Sequence, residues 1–269
     1  MRSLRVIGKT IGFLFLTLGA ALCWLVCAAL GLTHWRGRLF RTWAKTMVWL
    51  FGLRLRVTGV PPKGPCLLVA NHLSYVDVIV LAAQFDCLFV AKSEIATWPL
   101  FGFLSRWMNT IFIDRQRKRD LLRVNALLTE ALAAGQTVVI FPEGTTTGGA
   151  AVLPFKSGLL EPAVRTGRGV AYASLSYRTD VTEAPASEAV CWWGEMEFVP
   201  HLLKLFALPG FTGALMFGAA PLRANDRKVL AKQLHARVTD GFAIAQHMLD
   251  SHAETVCEPG AALLSEMAS

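Results

Sequence analysis

The sequence predicts an α/β fold: one domain with a central mixed sheet and flanking helices, preceded by a membrane-embedded helical pair. Three observations carry that expectation. Charged residues vanish between Thr10 and Trp35, the Pro-Pro-Lys-Gly-Pro run at 61–65 breaks any helix, and short apolar runs then alternate with helical patterns.

The N-terminal segment comes first. As a helix, Thr10 to Leu32 would be roughly 35 Å long, enough for a hydrocarbon core of about 30 Å. A cleaved signal peptide fits poorly, because the apolar run is long and no small-residue cleavage site follows it. Arg2, Arg5 and Lys9 precede the segment, and Arg36, Arg38, Arg41 and Lys45 follow it. Both basic flanks favour the cytoplasmic side. A helical hairpin dipping into one leaflet satisfies both, and a single full span is the alternative. Arg36 to Leu55 interleaves basic residues with Trp43, Val48, Trp49 and Phe51, the pattern of an interfacial amphipathic helix. Residues 1–56 are therefore expected to form the membrane anchor.

Residues 57–250 are expected to form the main domain. Cys66 to Ala70, Cys87 to Ala91, Thr110 to Asp114 and Thr137 to Phe141 read as buried strands, with helices near Val76 to Phe85 and Lys118 to Ala134. Val170 to Tyr177, Val190 to Phe198 and Gly213 to Ala220 extend the sheet. Asn225 caps a long helix ending near Leu249, and 251–269 reads as a loose tail. The net charge of +8 and mean hydropathy of +0.44 favour an anionic lipid surface. No recognition element supports a nucleic-acid partner. Six cysteines without a CxxC pair indicate a reduced, cytoplasmic compartment.

Chemistry concentrates at Leu67 to Asp77, LLVANHLSYVD. The strand stops at Asn71 and His72, where polar groups must leave the core, and Ser74 caps a helix whose first turn holds Asp77. A carboxylate on Nδ1–H fixes the imidazole tautomer and leaves Nε2 free to take a hydroxyl proton. His235 and Asp240 repeat the spacing within a helical pattern. There the two side chains would point about 140° apart, so that pair reads as a solvated helix face. Phe141-Pro142-Glu143-Gly144-Thr145 ends another strand in an exposed turn. Ile113-Asp114-Arg115 ends a third, followed by the basic residues Arg117, Lys118 and Arg119.

In order and spacing these segments resemble the lysophospholipid acyltransferase family, typified by the 1-acylglycerol-3-phosphate acyltransferases. NHLSYVD is similar to its first block, IFIDR to the second and FPEGT to the third, with FVAKSEIATWPLFG between and LPFKSG after. The resemblance covers roughly 57–220. It implies that His72 and Asp77 are catalytic, that Lys92 and Arg115 meet the acceptor's polar head, and that Glu143, Gly144 and Thr145 complete the acceptor site. It departs at Thr146 and Thr147, where the family pattern has Arg and Ser, and at Val170 to Tyr177, which lacks a central proline. WWGEMEFVPHLLKLFALP resembles a bacterial subgroup that includes lyso-ornithine lipid acyltransferases.

The implied reaction moves a fatty acyl group from an acyl carrier protein or coenzyme A thioester to a lysolipid hydroxyl, giving ornithine lipid or phosphatidic acid. No metal and no cofactor beyond that acyl-donor co-substrate is expected. The implied place is the cytoplasmic face of the inner membrane. A catalytically silent, membrane-anchored protein that binds anionic lipid is the alternative.

Overall fold

The computed structural model describes residues 1–98, 101–117 and 119–257. Helix α1, Arg2–Ala29, and helix α2, Arg36–Phe51, form an antiparallel pair joined by a 3-10 turn at Thr33–Trp35. The α1 residues Phe13, Leu16, Thr17, Ala20 and Trp24 turn inward. Leu4, Ile7, Ile11, Leu14, Leu18, Leu22 and Leu25 form an exposed apolar stripe at helical spacing.

Helix α2 ends earlier than its amphipathic pattern suggests. Gly52 stops it in the left-handed region (φ 72), and a Cβ there would lie 2.9 Å from the Pro209 carbonyl oxygen. The chain turns at once into β1, Leu53–Thr58, so the expected anchor boundary after residue 56 falls inside a strand. Arg54 and Arg56 alternate with Leu53 and Leu55, as a half-buried edge strand requires.

The remaining strands are β2 (Leu67–Ala70), β3 (Leu88–Lys92), β4 (Ile111–Ile113), β5 (Val138–Ile140), β6 (Val170–Arg178) and β7 (Phe211–Phe217). Their order is β1-β7-β6-β2-β5-β3-β4. Strands β2 to β6 run parallel, β7 is antiparallel to β6, and β1 is parallel to β7. The sheet is thus mixed. Helices α3 (Tyr75–Gln84), α4 (Phe101–Trp107), α5 (Asp120–Ala133) and α6 (Glu161–Arg165) lie between successive parallel strands. Burial on both faces explains why β2 and β5 are continuous apolar runs.

The segment 190–198 is not a strand. Helix α7, Ala186–Ala189, leads into a loop that turns at Gly194 (φ 63) and enters α8, Phe198–Ala207. The Trp192 backbone N–H donates to the Leu73 carbonyl and its indole to the Met196 carbonyl. The apolar side chains that suggested a strand instead gather in an aromatic cluster of Trp192, Phe198, Trp98 and Tyr75. Helix α9, Arg227–Cys257, covers β6 and β7. Its cap is Asp226 rather than Asn225, since the Asp226 carboxylate accepts from the Lys228 and Val229 N–H groups. The helix runs past its expected end near Leu249, and the rest of the expected tail, 258–269, lies outside the described residues.

Candidate active site

In an open sheet, ligands bind beyond the carboxyl ends of parallel strands where the winding direction changes. Here β2 sits between β6 and β5, and His72, Glu143, Lys92 and Arg115 all follow or close parallel strands at that edge. Asn71 does not leave the core. It is 1% exposed, and its side-chain amide donates to the Leu175 carbonyl (2.9 Å) and accepts from the Leu175 N–H (2.8 Å). It continues the β2–β6 ladder for one more residue and holds the next residue, His72, in place.

The His72 Nδ1 lies 2.8 Å from Asp77 Oδ2. The same oxygen accepts the N–H groups of Leu73 (2.7 Å) and Ser74 (2.9 Å), the bonds expected of a carboxylate in the first turn of a helix. Asp77 is fully buried, whereas the His72 side chain keeps 20% of its surface open. A donor-poor carboxylate facing Nδ1 requires the proton on that nitrogen. Nε2 is therefore the basic atom. Phe141 stacks on the imidazole, with ring centres 3.9 Å apart and planes 10° from parallel.

Glu143, which the resemblance puts at the acceptor site, is buried and holds two backbone N–H groups. Its Oε1 accepts the His72 N–H (2.6 Å), its Oε2 accepts the Leu153 N–H (2.8 Å), and it is 3% exposed. Burial pushes its carboxyl up to about 7, against the opposing pull of those two N–H donors. The Thr147 N–H donates to the His72 carbonyl. The turn after β5 therefore grips the backbone of His72 from both sides.

Gly144 takes a left-handed conformation (φ 75), and a Cβ there would sit 2.8 Å from Lys156 Nζ. The Arg115 guanidinium donates to the Gly144 carbonyl. Two cations from separate segments thus meet at this glycine. Lys92 is exposed at the end of β3, paired in register with Ile113 of β4, and Thr145 is exposed beside Gly144.

Two residues that sequence reasoning did not single out join the site, Lys156 and Tyr177, and Asn71 serves as a backbone clamp rather than leaving the core. The Tyr177 hydroxyl donates to Asp77 Oδ1 at 2.7 Å across a separation of 100 residues. Lys156 lay within the quoted LPFKSG segment, and a lone lysine beside apolar residues was its one signal. Chemically the site offers a basic Nε2 backed by a buried carboxylate, beside cations suited to an anionic head group.

Known proteins resemble this chain in sequence and fold. Residues 54–180 match the family model described as Acyltransferase. The chain is 34% identical to a lyso-ornithine lipid O-acyltransferase of Pseudomonas aeruginosa, over 81% of this chain and 90% of that protein. It is 37% identical to a 1-acyl-sn-glycerol-3-phosphate acyltransferase of Neisseria gonorrhoeae, over 46% of this chain and 49% of that one. The crystal structure of the 1-acyl-sn-glycerophosphate acyltransferase from Thermotoga maritima shares the fold, with a TM-score of 0.58. It covers 88% of this chain and 98% of that one at 21% identity.

Proposed function

The chain belongs to the acyltransferase family, and from that premise we propose that it moves a fatty acyl group from a thioester to the free hydroxyl of a lysolipid. The acceptor is a lyso-ornithine lipid or a 1-acyl-sn-glycerol 3-phosphate, and the donor an acyl carrier protein or coenzyme A thioester. The observation that carries this reading is the His72–Asp77 pair at 2.8 Å, buried on the aspartate side and open on the Nε2 side.

Nε2 removes the hydroxyl proton as the oxygen attacks the thioester carbonyl, and Asp77 stabilises the resulting imidazolium. The tetrahedral intermediate collapses with cleavage of the C–S bond. The leaving thiolate then takes the proton from His72, so the base is regenerated and no acyl-enzyme forms. Arg115 and Lys156, with Lys92 at the neighbouring strand end, supply positive charge for a head-group carboxylate or phosphate.

Helix α1 is long and apolar enough to cross a membrane, yet it lies along the domain. Arg2 pairs with Glu183 (3.0 Å), Lys9 donates to the Phe51 and Leu208 carbonyls, Phe13 meets Phe206, and Trp24 meets Phe103 and Trp107. A full span would break these contacts. They support a helix lying in one leaflet, its exposed stripe toward lipid, on the cytoplasmic face that the basic flanks favour.

The test is purified protein in vesicles with acyl thioester and each lysolipid, reading thiol release and acylated product. Turnover of at least one acceptor, lost in His72→Ala, is expected. Absence of thiol release with both acceptors and both donors would sink the proposal.

A further inference from the structure

Strand β6 holds the segment 71–77 at both ends. The Leu175 backbone clamps Asn71, and two residues on, the Tyr177 hydroxyl meets Asp77. Asp77 Oδ2 accepts three N–H groups, from His72 Nδ1, Leu73 and Ser74. Among the described residues, Oδ1 has one hydrogen-bond partner, Tyr177.

That asymmetry has a physical effect. A carboxylate anchored through a single oxygen turns about its terminal torsion, which is broad and roughly two-fold. A donor on the second oxygen fixes its plane. The same donor also withdraws negative charge from the oxygen facing the imidazole.

We propose that Tyr177 is a positioning residue, whose phenol fixes the plane and shares the charge of Asp77 so that His72 keeps its orientation and basicity. The proposal rests on the reading of His72 as the general base. Tyr177 is buried against Phe211, and burial beside Asp77 holds its hydroxyl well above the ordinary phenol range, so it remains a donor throughout the working pH range. The other titratable groups acting on Asp77 are Cys191, whose thiol burial pushes up to about 12, and Glu143. Cys191 thus stays neutral, whereas Glu143 feels the Asp77 charge and is raised to about 7 mainly by burial.

The experiment compares kcat, KM and the pH profile of acyl transfer in wild type, Tyr177→Phe, Phe211→Leu and protein carrying 3-fluorotyrosine at 177. Tyr177→Phe should lower kcat about ten- to a hundredfold, the factor for one hydrogen bond to a charged group, with KM within about twofold of wild type. Its acidic limb should move to higher pH, because full charge returns to the oxygen facing the imidazolium. The fluorinated ring preserves shape and fold while strengthening the donor, and should move that limb the opposite way. This arm also serves if the phenylalanine variant does not fold. Tyr177→Phe matching wild type at every pH would overturn the proposal. So would a loss reproduced by Phe211→Leu, which keeps the hydroxyl and disturbs only the packing, or a fluorinated protein with an unmoved limb. His72→Ala in the same assay separates the two readings: activity there would remove the general base itself, whereas a dead His72→Ala beside an unaffected Tyr177→Phe removes only the role given to Tyr177.

Discussion

His72 and Asp77 meet at 2.8 Å across the junction of β2 and α3, whereas His235 and Asp240, at the same spacing, both lie within α9. His235 turns its Nε2 to the Val152 carbonyl (3.1 Å) and packs edge-on against Phe155, while Asp240 is exposed. His235 is thus half-buried, and the solvated face expected for it holds only for Asp240. Five residues along a helix rotate the second side chain roughly 500° from the first, so the carboxylate cannot reach the ring. At the strand end the chain reverses, and Asp77 takes a first-turn position from which its carboxylate reaches back to the N–H groups of Leu73 and Ser74 just before the helix. Spacing alone carries no chemistry; the junction supplies it.

The comparison predicts unequal consequences for matched substitutions. His72→Ala should abolish acyl transfer in a protein that remains folded, by about a thousandfold or more in kcat/KM for loss of the general base. His235→Ala should cost stability through its lost hydrogen bond, roughly 1 kcal/mol, and leave kcat within about twofold. Steady-state kinetics and thermal melts on both variants decide it. Comparable activity losses would erase the distinction.

Asp77→Asn sharpens the comparison at the second residue. The amide removes the charge behind the imidazolium, and with its oxygen kept toward the three N–H groups its NH2 faces the Tyr177 hydroxyl that donates there in the wild type, so kcat should fall on the order of a thousandfold. Asp240→Asn, on the exposed face of α9, should lie within about 0.5 kcal/mol of wild type in stability and match it in turnover. Paired kinetic and denaturation curves measure both.

Sequence made part of this geometry legible. The apolar runs of β2 and β5, both buried on two faces, ended where polar residues began, so the junction at His72 stood out. The strand β1 did not, because Arg54 and Arg56 continue the basic-apolar texture of α2, and the left-handed stop at Gly52 depends on the distant Pro209 carbonyl. Residues 190–198 misled in the opposite direction: Trp192 and Phe198 are apolar because they pack on Trp98 and Tyr75, in a loop rather than a sheet. Tyr177 was illegible for a topological reason. Its partner lies 100 residues away, and only the adjacency of β6 and β2 brings them together.

Recognition should respond more weakly than chemistry, since the cations at Gly144 are exposed. Arg115→Met keeps an apolar stem but loses the fork that meets the Gly144 carbonyl. The expected result is a KM for the anionic acceptor raised about tenfold with kcat little changed. Kinetics against each lysolipid would show it. A fall in kcat at constant KM would instead place Arg115 with the reacting atoms.

Among the residues of the site, the smallest effect on turnover is expected at Glu143, which secures the backbone of His72. Glutamine fills the same volume but presents only one acceptor oxygen to two N–H groups, those of His72 and Leu153. One donor is then left without a partner, which should destabilise the fold by about 1–3 kcal/mol and lower kcat a few-fold as His72 shifts. The pH dependence gives the sharper reading. In the folded protein the Glu143 carboxyl is raised to about 7 by burial, from an ordinary value of 4.5. Between those values the folded state binds a proton that the unfolded chain has released. Its stabilising contribution is therefore fully present below the unfolded value and is lost as pH rises through about 7. Glutamine cannot titrate, so the deficit of Glu143→Gln relative to wild type should be largest near pH 5 and narrow toward pH 8. Urea unfolding of both proteins across that range measures it. A deficit that widens with pH would mean the carboxylate is favoured in the fold, with the two N–H donors outweighing burial.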